Sequence, residues 1–326
     1  MMDVFFRSLC DTFEMVQQVR ISAENRLRAV KQKTDEDDSI YRKTIFNYLK
    51  EVNAFEDKIV KTAEKILKQD IVYNEFLSKI NGIGSRVSLR LLSLGLDINR
   101  ELSDWNAYFG LVPFYYACKC EKGHKILLPR DPRVNPATCT ARVKEGVDVE
   151  IIEDTEDDEE IHVVNKASFV RCGAPIVSVE QIPPRRKAGY IIFWNPDAKK
   201  TYYIVTDYWV KNKEKSFYGL ILKKEKEKLM SMPDAVEKGY VKIVSGKTVS
   251  SSRCTKAARR KAFKIFLAHL YQASRELNGM PYRMPYAFEY LKHDDFIDWK
   301  EAVEIDQKLK APKKKRVSRV SEKHDD

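Results

Sequence analysis

The stretch Phe76 to Gly95, FLSKINGIGSRVSLRLLSLG, sets two glycines one residue apart between two apolar runs of helical spacing. Glycine accepts positive φ and leaves its backbone bare. The pattern apolar, x, Gly, apolar, Gly over Ile80, Asn81, Gly82, Ile83 and Gly84 therefore reads as a tight corner between two helices. A helix starting at such a corner presents unpaired N–H groups at its positive end, a geometry that suits a phosphate oxygen. Gly82, Ile83, Gly84, Ser85, Arg86 and Arg90 are thus candidate nucleic-acid contacts: bare amides, a hydroxyl and two cations. Such contacts read the backbone and not the base sequence. A plain tight turn between packed helices is the competing reading.

Upstream of the corner, apolar residues recur every seven positions. Leu9, Val16, Ala23 and Val30 make one series and Ile45, Val52, Ile59, Ile66 and Tyr73 a second, with Phe13, Leu27 and Phe55 between them. Two long helices with coiled-coil seams follow, joined through the polar TDEDDS at Thr34 to Ser39. They should fold as an antiparallel hairpin or make the chain a homo-oligomer. An ordinary bundle face would carry a similar pattern.

Downstream, Gly110 and Pro113 end the helical pattern, and the segment from Ser168 to Val244 is rich in β-branched and aromatic residues. In GYIIFWNPDAKKTYYIVTDYW, Asn195 to Lys199 offers turn chemistry between two strands. Glu150 to Glu160 is an acidic run whose mutual repulsion makes it a solvated loop. The fold class expected is α+β, mainly helical with a β-rich insertion. The divisions are a helical hairpin at 1–75, a helix-hairpin-helix at 76–113, the insertion at 114–250, a helical segment at 251–310 and a disordered basic tail at 311–326.

Lys and Arg number 59 against 48 Asp and Glu in 326 residues, a net charge of +11 that favours polyanionic partners over acidic small substrates. No apolar run approaches the roughly 20 residues a membrane helix needs, and the first residues do not read as a cleavable signal, so no membrane partner is expected. An intracellular site is, either cytoplasm and nucleoid or, in a eukaryotic host, the nucleus, since PKKKRV at Pro312 to Val317 has the look of an import signal. The same segment serves equally as an electrostatic arm.

Within CTKAARRKAFKIFLAHLYQASREL, Cys254 to Leu277, the residues Lys256, Arg259, Arg260, Lys261 and Lys264 crowd the first turns of a helix. The macrodipole disfavours cations there, so an anion is the expected compensation. Phe263, Phe266, Leu267 and Leu270 supply a buried face. Tyr202, Tyr203, Tyr208 and Trp209 could stack bases, which keeps RNA beside DNA as a partner; core packing is the alternative for about half of them.

Six cysteines are too scattered for a disulfide framework. Cys118, Cys120, Cys139 and Cys172, with His124 as alternate, offer four S or N ligands to a structural zinc ion. Ordinary buried thiols are the competing reading, because a C-x-C pair lacks the usual two-residue spacing. No Ser/His/Asp order, Walker loop or paired-histidine zinc-protease motif is present.

INGIGSRVSLRLLSLGLDI followed by WNAYFGLVP resembles the carboxy-terminal transposase domain of the DEDD insertion-sequence transposases related to the Piv invertase, which carry an IPGIG hairpin, a helix and AYAGLVP. RISAENRLRAV, Arg20 to Val30, is similar to the helical linker that precedes that domain. The resemblance spans about half the chain and implies DNA binding in transposition or recombination, with subunits held together through the linker. In that family a serine-glycine ahead of a basic helix supplies the nucleophile that attacks DNA. Ser245 and Gly246 stand in that place here, with Ser250, Ser251 and Ser252 as rivals. The family's ribonuclease-H-like acidic domain has no counterpart in this sequence, and DEDD at Asp35 to Asp38 is a contiguous run, unable to converge on a metal pair. Divalent metal for catalysis would have to be held by a partner's acidic ligands. Enzyme and non-catalytic adaptor both remain open on this reading.

Overall fold

The computed structural model describes residues 2–33, 39–134, 136–152, 162–183, 187–282 and 297–309. Most of the acidic run, most of the polar link between the first two helices, and the basic tail lie outside the described residues. The chain divides into two units, one from Met1–Leu102 and Lys200–Asp326, the other Ser103–Lys199. The architecture is α+β, mainly helical with small antiparallel sheets.

In the first unit, helices α1 (Met2–Lys33) and α2 (Ser39–Leu67) pack as the expected antiparallel pair. Phe6, Phe13, Ala23, Leu49, Ile59, Ala63 and Leu67 are buried between them and against α4 (Ser85–Ser93), while Met15, Tyr48 and Phe55 stay exposed. Between α2 and α4 lie α3 (Ile71–Glu75), capped by the Asp70 carboxylate on Tyr73 N at 2.7 Å, and a 3-10 turn at Leu77–Lys79.

Helix α8 (Ser252–Leu277) is the axis of this unit. Its Phe263 and Phe266 join Trp209 and Tyr218 in an aromatic core, and Phe266 stacks on Phe76 at 5.8 Å. The partners come from α6 (Pro196–Lys211), α7 (Phe217–Met230) and α9 (Trp299–Lys308).

Two of these helices correct the expected β-rich stretch. Strands were expected across residues 190–209, but the Asn195 side chain accepts from Asp197 N at 2.8 Å and Ala198 N at 2.9 Å, and Pro196 opens α6. Asn followed by Pro at the first helical position is a helix start, because the missing proline N–H is one no helix could satisfy. Ala198, Tyr202, Val205 and Trp209 are then buried on one helical face.

In the second unit, α5 (Leu102–Tyr108) leads into a three-stranded antiparallel sheet of order β2-β1-β5: β1 Tyr115–Cys120, β2 Lys125–Leu128 and β5 Ile176–Ile182. Alternation along β1 builds two cores. Tyr115 and Ala117 face Phe193 and Trp194, whereas Cys118 and Cys120 face Ile126, Cys139 and Ala174. A separate ribbon, β3 (Arg142–Ile152) and β4 (His162–Arg171), leaves and re-enters beside the second core. The last pair, β6 (Val241–Val244) and β7 (Lys247–Ser250), is a short hairpin of the first unit, just ahead of α8.

Candidate functional site

Three places carry the residues singled out by sequence. At the glycine corner, Gly82 has φ +92 and its backbone lies under the Tyr208 ring, and Ile83 is buried. The Asn81 amide donates to the buried Asp306 carboxylate, and its side chain donates to Lys215 O at 2.8 Å and Asp306 O at 2.9 Å. Gly84, the N-cap of α4, stays exposed with open space around it. Ser85 Oγ donates to Glu64 at 2.6 Å.

The corner's cations are spoken for. Arg86 pairs with Glu56 at 3.0 Å and Asp57 at 3.3 Å, and Glu56, itself buried, also takes Arg20 at 2.7 Å. Arg90, 4% exposed, pairs with Glu14 and donates to Gln17 at 2.9 Å. Both guanidinium groups lie over the Phe13 ring. They join α4 to the α1–α2 pair, Arg90 buried and Arg86 half-exposed, each with its charge matched by a carboxylate.

Helix α8 differs. Ser251 caps it, accepting from Cys254 N at 3.1 Å. Arg259 pairs with Asp207 at 2.9 Å. Arg253, Lys256, Arg260, Lys261 and Lys264, at spacings of three and four, share the face opposite buried Ala258, Ala262 and Phe266, and none has an ion-pair partner among the described residues. Burial, then the neighbouring charges of Arg260 and Lys261, push the Lys264 ammonium below its usual pKa. A like-charge row of this kind is relieved by a bound anion.

Ser245 occupies the turn between β6 and β7. It has φ 50 and Gly246 has φ 75, the two positive values that a two-residue hairpin turn of type I′ requires. Both residues are exposed. Ser251 is a buried cap, which removes its hydroxyl from solvent.

The third place is the second core of the inserted unit. Cys120, His124, Cys139 and Cys172 bring their ligand atoms within 4.8 Å of one another. Cys120 Sγ is 3.5 Å and Cys139 Sγ 3.8 Å from His124 Nδ1. The edges of a tetrahedron around zinc are about 3.6 Å between nitrogen and sulfur and about 3.8 Å between sulfurs, so the spacing matches a metal-ligand set. Burial acts to raise the Cys120 thiol, but hydrogen bonds from the His124 backbone, Cys139 and the His124 ring outweigh it and bring the thiol down to about 7. Burial lifts Cys139 to about 11.

His124 takes the place expected for Cys118. Cys118 and Cys120 share a face of β1, but the Cys118 sulfur lies outside the set of ligand atoms that gather within 4.8 Å of one another. The turn at Gly123, φ 82, instead folds His124 back over Cys120, with Cys120 N bonded to His124 O at 3.1 Å. Cys118 donates to Tyr116 O at 3.5 Å, and burial, reinforced by Asp131, raises its thiol to about 11. The other two residues of the cluster sit at the feet of the ribbon: Gly173 N bonds Cys139 O at 3.0 Å, Cys139 N bonds Ala174 O at 2.9 Å, and Cys172 N bonds Ala141 O at 2.8 Å.

No protein-family model and no curated protein matches the chain. Its functional reading therefore rests on the residues themselves. Sequence reasoning missed Arg253, although its spacing of three from Lys256 placed it on the same helical face. It also missed the groove of about 370 Å³ on the α1–α2 pair, lined by Met15, Val16, Val19, Tyr48, Val52 and Phe55. No helix among the described residues is long and apolar enough to cross a membrane.

Proposed function

We propose that this protein binds the phosphate backbone of nucleic acid, DNA first, through the outer face of α8. The observation that carries this reading is the contrast between two sets of cations. Arg86, Arg90 and Arg259 are neutralised by Glu56, Asp57, Glu14 and Asp207, whereas Arg253, Lys256, Arg260, Lys261 and Lys264 lie together without acidic partners among the described residues. The glycine corner then serves chiefly to seat α4 against α1 and α2, with Gly84 as its one exposed backbone contact.

The resemblance to the transposase domain makes recombination the setting in which to look for the target. A covalent adduct to DNA that vanishes in Ser245→Ala would make the chain an enzyme of strand transfer. Its absence, with divalent metal and an acidic partner protein supplied, would favour an adaptor. The groove on α1 and α2 supports self-association as the assembly device, and Met15→Glu with Phe55→Glu should leave a monomer by light scattering.

The test of the main reading is binding of the full chain to duplexes of unrelated sequence across a salt series. Each phosphate contact contributes about 0.9 to the slope of log K against log salt. The double change Lys256→Ala and Arg260→Ala should lower the slope by about 2, and Arg86→Ala should leave it unchanged. Binding without salt dependence, or equal slopes in all three proteins, rejects the reading.

The Cys120, His124, Cys139 and Cys172 cluster is assigned to one structural zinc ion. Its support is the donor set: three thiols and an imidazole at tetrahedral spacing in an apolar pocket, with all four positions filled by protein, as suits a structural site. Metal analysis should give one equivalent of zinc. Cys139→Ser should lose it and Cys118→Ser should retain it.

A further inference from the structure

The hairpin β6–β7 stands where the charged face of α8 begins. Ser251 N donates to Tyr240 O at 2.9 Å and Ser251 Oγ donates to Gly239 O at 2.6 Å, so the residue that caps α8 also fastens the root of the hairpin. Arg253, first of the α8 row, lies over the Tyr240 ring at 5.7 Å. The type I′ turn at Ser245 and Gly246 matches the twist of the flanking strands, which gives a stiff, narrow two-stranded ribbon, its root held by Val241 N on Ala235 O at 3.2 Å.

Every residue from Lys242 to Val249 is exposed. Ile243 is 68%, Val244 56% and Val249 44% exposed, a concentration of bare branched side chains without a packing role. The register pairs Lys242 with Val249 and Val244 with Lys247, so one face presents two lysines and two valines in alternation. The opposite face carries Val241, which is buried at the root. Beyond that root the same face carries Ile243 and Thr248, both exposed, so the ribbon is open on both faces and its two lysines lie on the face of Val244 and Val249.

We propose that this ribbon enters the major groove of DNA held along α8, with Val244 and Val249 against base edges and Lys242 and Lys247 on the bordering phosphates. The inference rests on the reading of α8 as a nucleic-acid face and adds a second contact of different chemistry. Width decides the groove. Two strands about 4.8 Å apart, with side chains on both edges, fit a major groove about 12 Å wide and not a minor groove of about 6 Å. Charge decides the partner, because Lys242 and Lys247 add two exposed cations to a ribbon whose root packs under Arg253, the first cation of the α8 row. In the major groove the group that suits a valine is the thymine methyl.

The experiment compares duplexes containing thymine with the same duplexes carrying uracil throughout, which lack only that methyl. The intact chain should bind the uracil duplex about fourfold more weakly per methyl contacted. Val244→Ser with Val249→Ser should bind both equally, with an unchanged salt slope because no cation has been removed. Both positions are exposed, and unchanged thermal unfolding would show that the variant still folds. Equal affinity of the intact chain for the two duplexes, with salt dependence intact, overturns the ribbon's placement and leaves α8 standing. Loss of self-association in the valine variant, with DNA affinity unaltered, assigns the ribbon to a protein contact and also overturns it. Absence of salt-dependent binding altogether fails the α8 reading instead.

Discussion

The Tyr208 ring packs against the backbone of Gly82, so close that a β-carbon on Gly82 would stand 2.0 Å from Tyr208 Cδ1. The two glycines of the corner thus serve different ends. Gly82 combines φ +92 with this ring, whereas Gly84, at φ −91, has no neighbour near a β-carbon. Gly82→Ala should cost about 2–4 kcal/mol from backbone strain plus overpacking. Gly84→Ala should cost about 1 kcal/mol, the loss of a favourable N-cap residue. Urea unfolding of the two variants measures the difference, and adding Tyr208→Ala should restore part of the stability lost in Gly82→Ala.

Removing the proposed zinc ion should unfold one unit and spare the other. The four ligands all belong to the unit Ser103–Lys199, and helices α1, α2 and α8 belong to the other. A chelator should abolish the near-ultraviolet signal of Phe193 and Trp194 while most of the helical far-ultraviolet signal persists. Cobalt substituted for zinc should show the intense absorption of tetrahedral thiolate ligation, lost in Cys172→Ser.

Acid should weaken the fold through His269. The Ile297 carbonyl can only accept, so Nε2 carries the proton at 3.0 Å, and Nδ1 accepts from Tyr218 OH at 2.9 Å. Burial lowers this imidazole from 6.5 to about 4. Between those values the unfolded chain takes up a proton that the folded chain refuses, so stability is full above about 6.5 and falls as pH drops toward 4, by about 3 kcal/mol in all. Chemical denaturation from pH 7 to 4 should show this slope, reduced by about 1.4 kcal/mol per pH unit in His269→Gln.

Asp306 is a buried carboxylate that holds three segments. Its two oxygens accept from Phe217 N, at 2.6 Å, and from Asn81 N, which ties α9 to the start of α7 and to the glycine corner. Asp306→Asn preserves shape but turns an N–H donor toward one of those amides. A loss of about 3 kcal/mol is expected. Hydrogen exchange at Asn81 and Phe217 should quicken together.

How far the fold was legible depended on which signal each segment carried. The period of seven gave two long helices, and both form, but the buried stripe runs through Phe6, Cys10, Phe13 and Ala23 and through Leu49, Ile59, Ala63 and Leu67; Leu9, Val16, Ile45, Val52 and Ile66 are half-buried, and Tyr73 belongs to α3. The segment 196–211 was misread because Tyr, Ile, Val and Thr favour strands, yet the Asn195–Pro196 start and the spacing of Ala198, Tyr202, Val205 and Trp209 were already helical. The metal set was half visible. Cys139 and Cys172 lie far apart in sequence and meet through backbone bonds that no local pattern encodes, and the exchange of Cys118 for His124 depends on a single glycine turn. Charge on α8 was plain in the sequence. That Arg86 and Arg90 would be cancelled by Glu56 and Glu14, from helices distant in the chain, was not.

The main-chain bonds at Ala141, Cys139 and Ala174 sew the two feet of the β3–β4 ribbon together at its base. Whatever lies beyond that seam is held at one fixed exit, like a flag on a pole. Evolution, or an engineer, is free to lengthen, shorten or exchange the intervening segment without disturbing the sheet beneath, which makes this seam the natural splice point of the molecule.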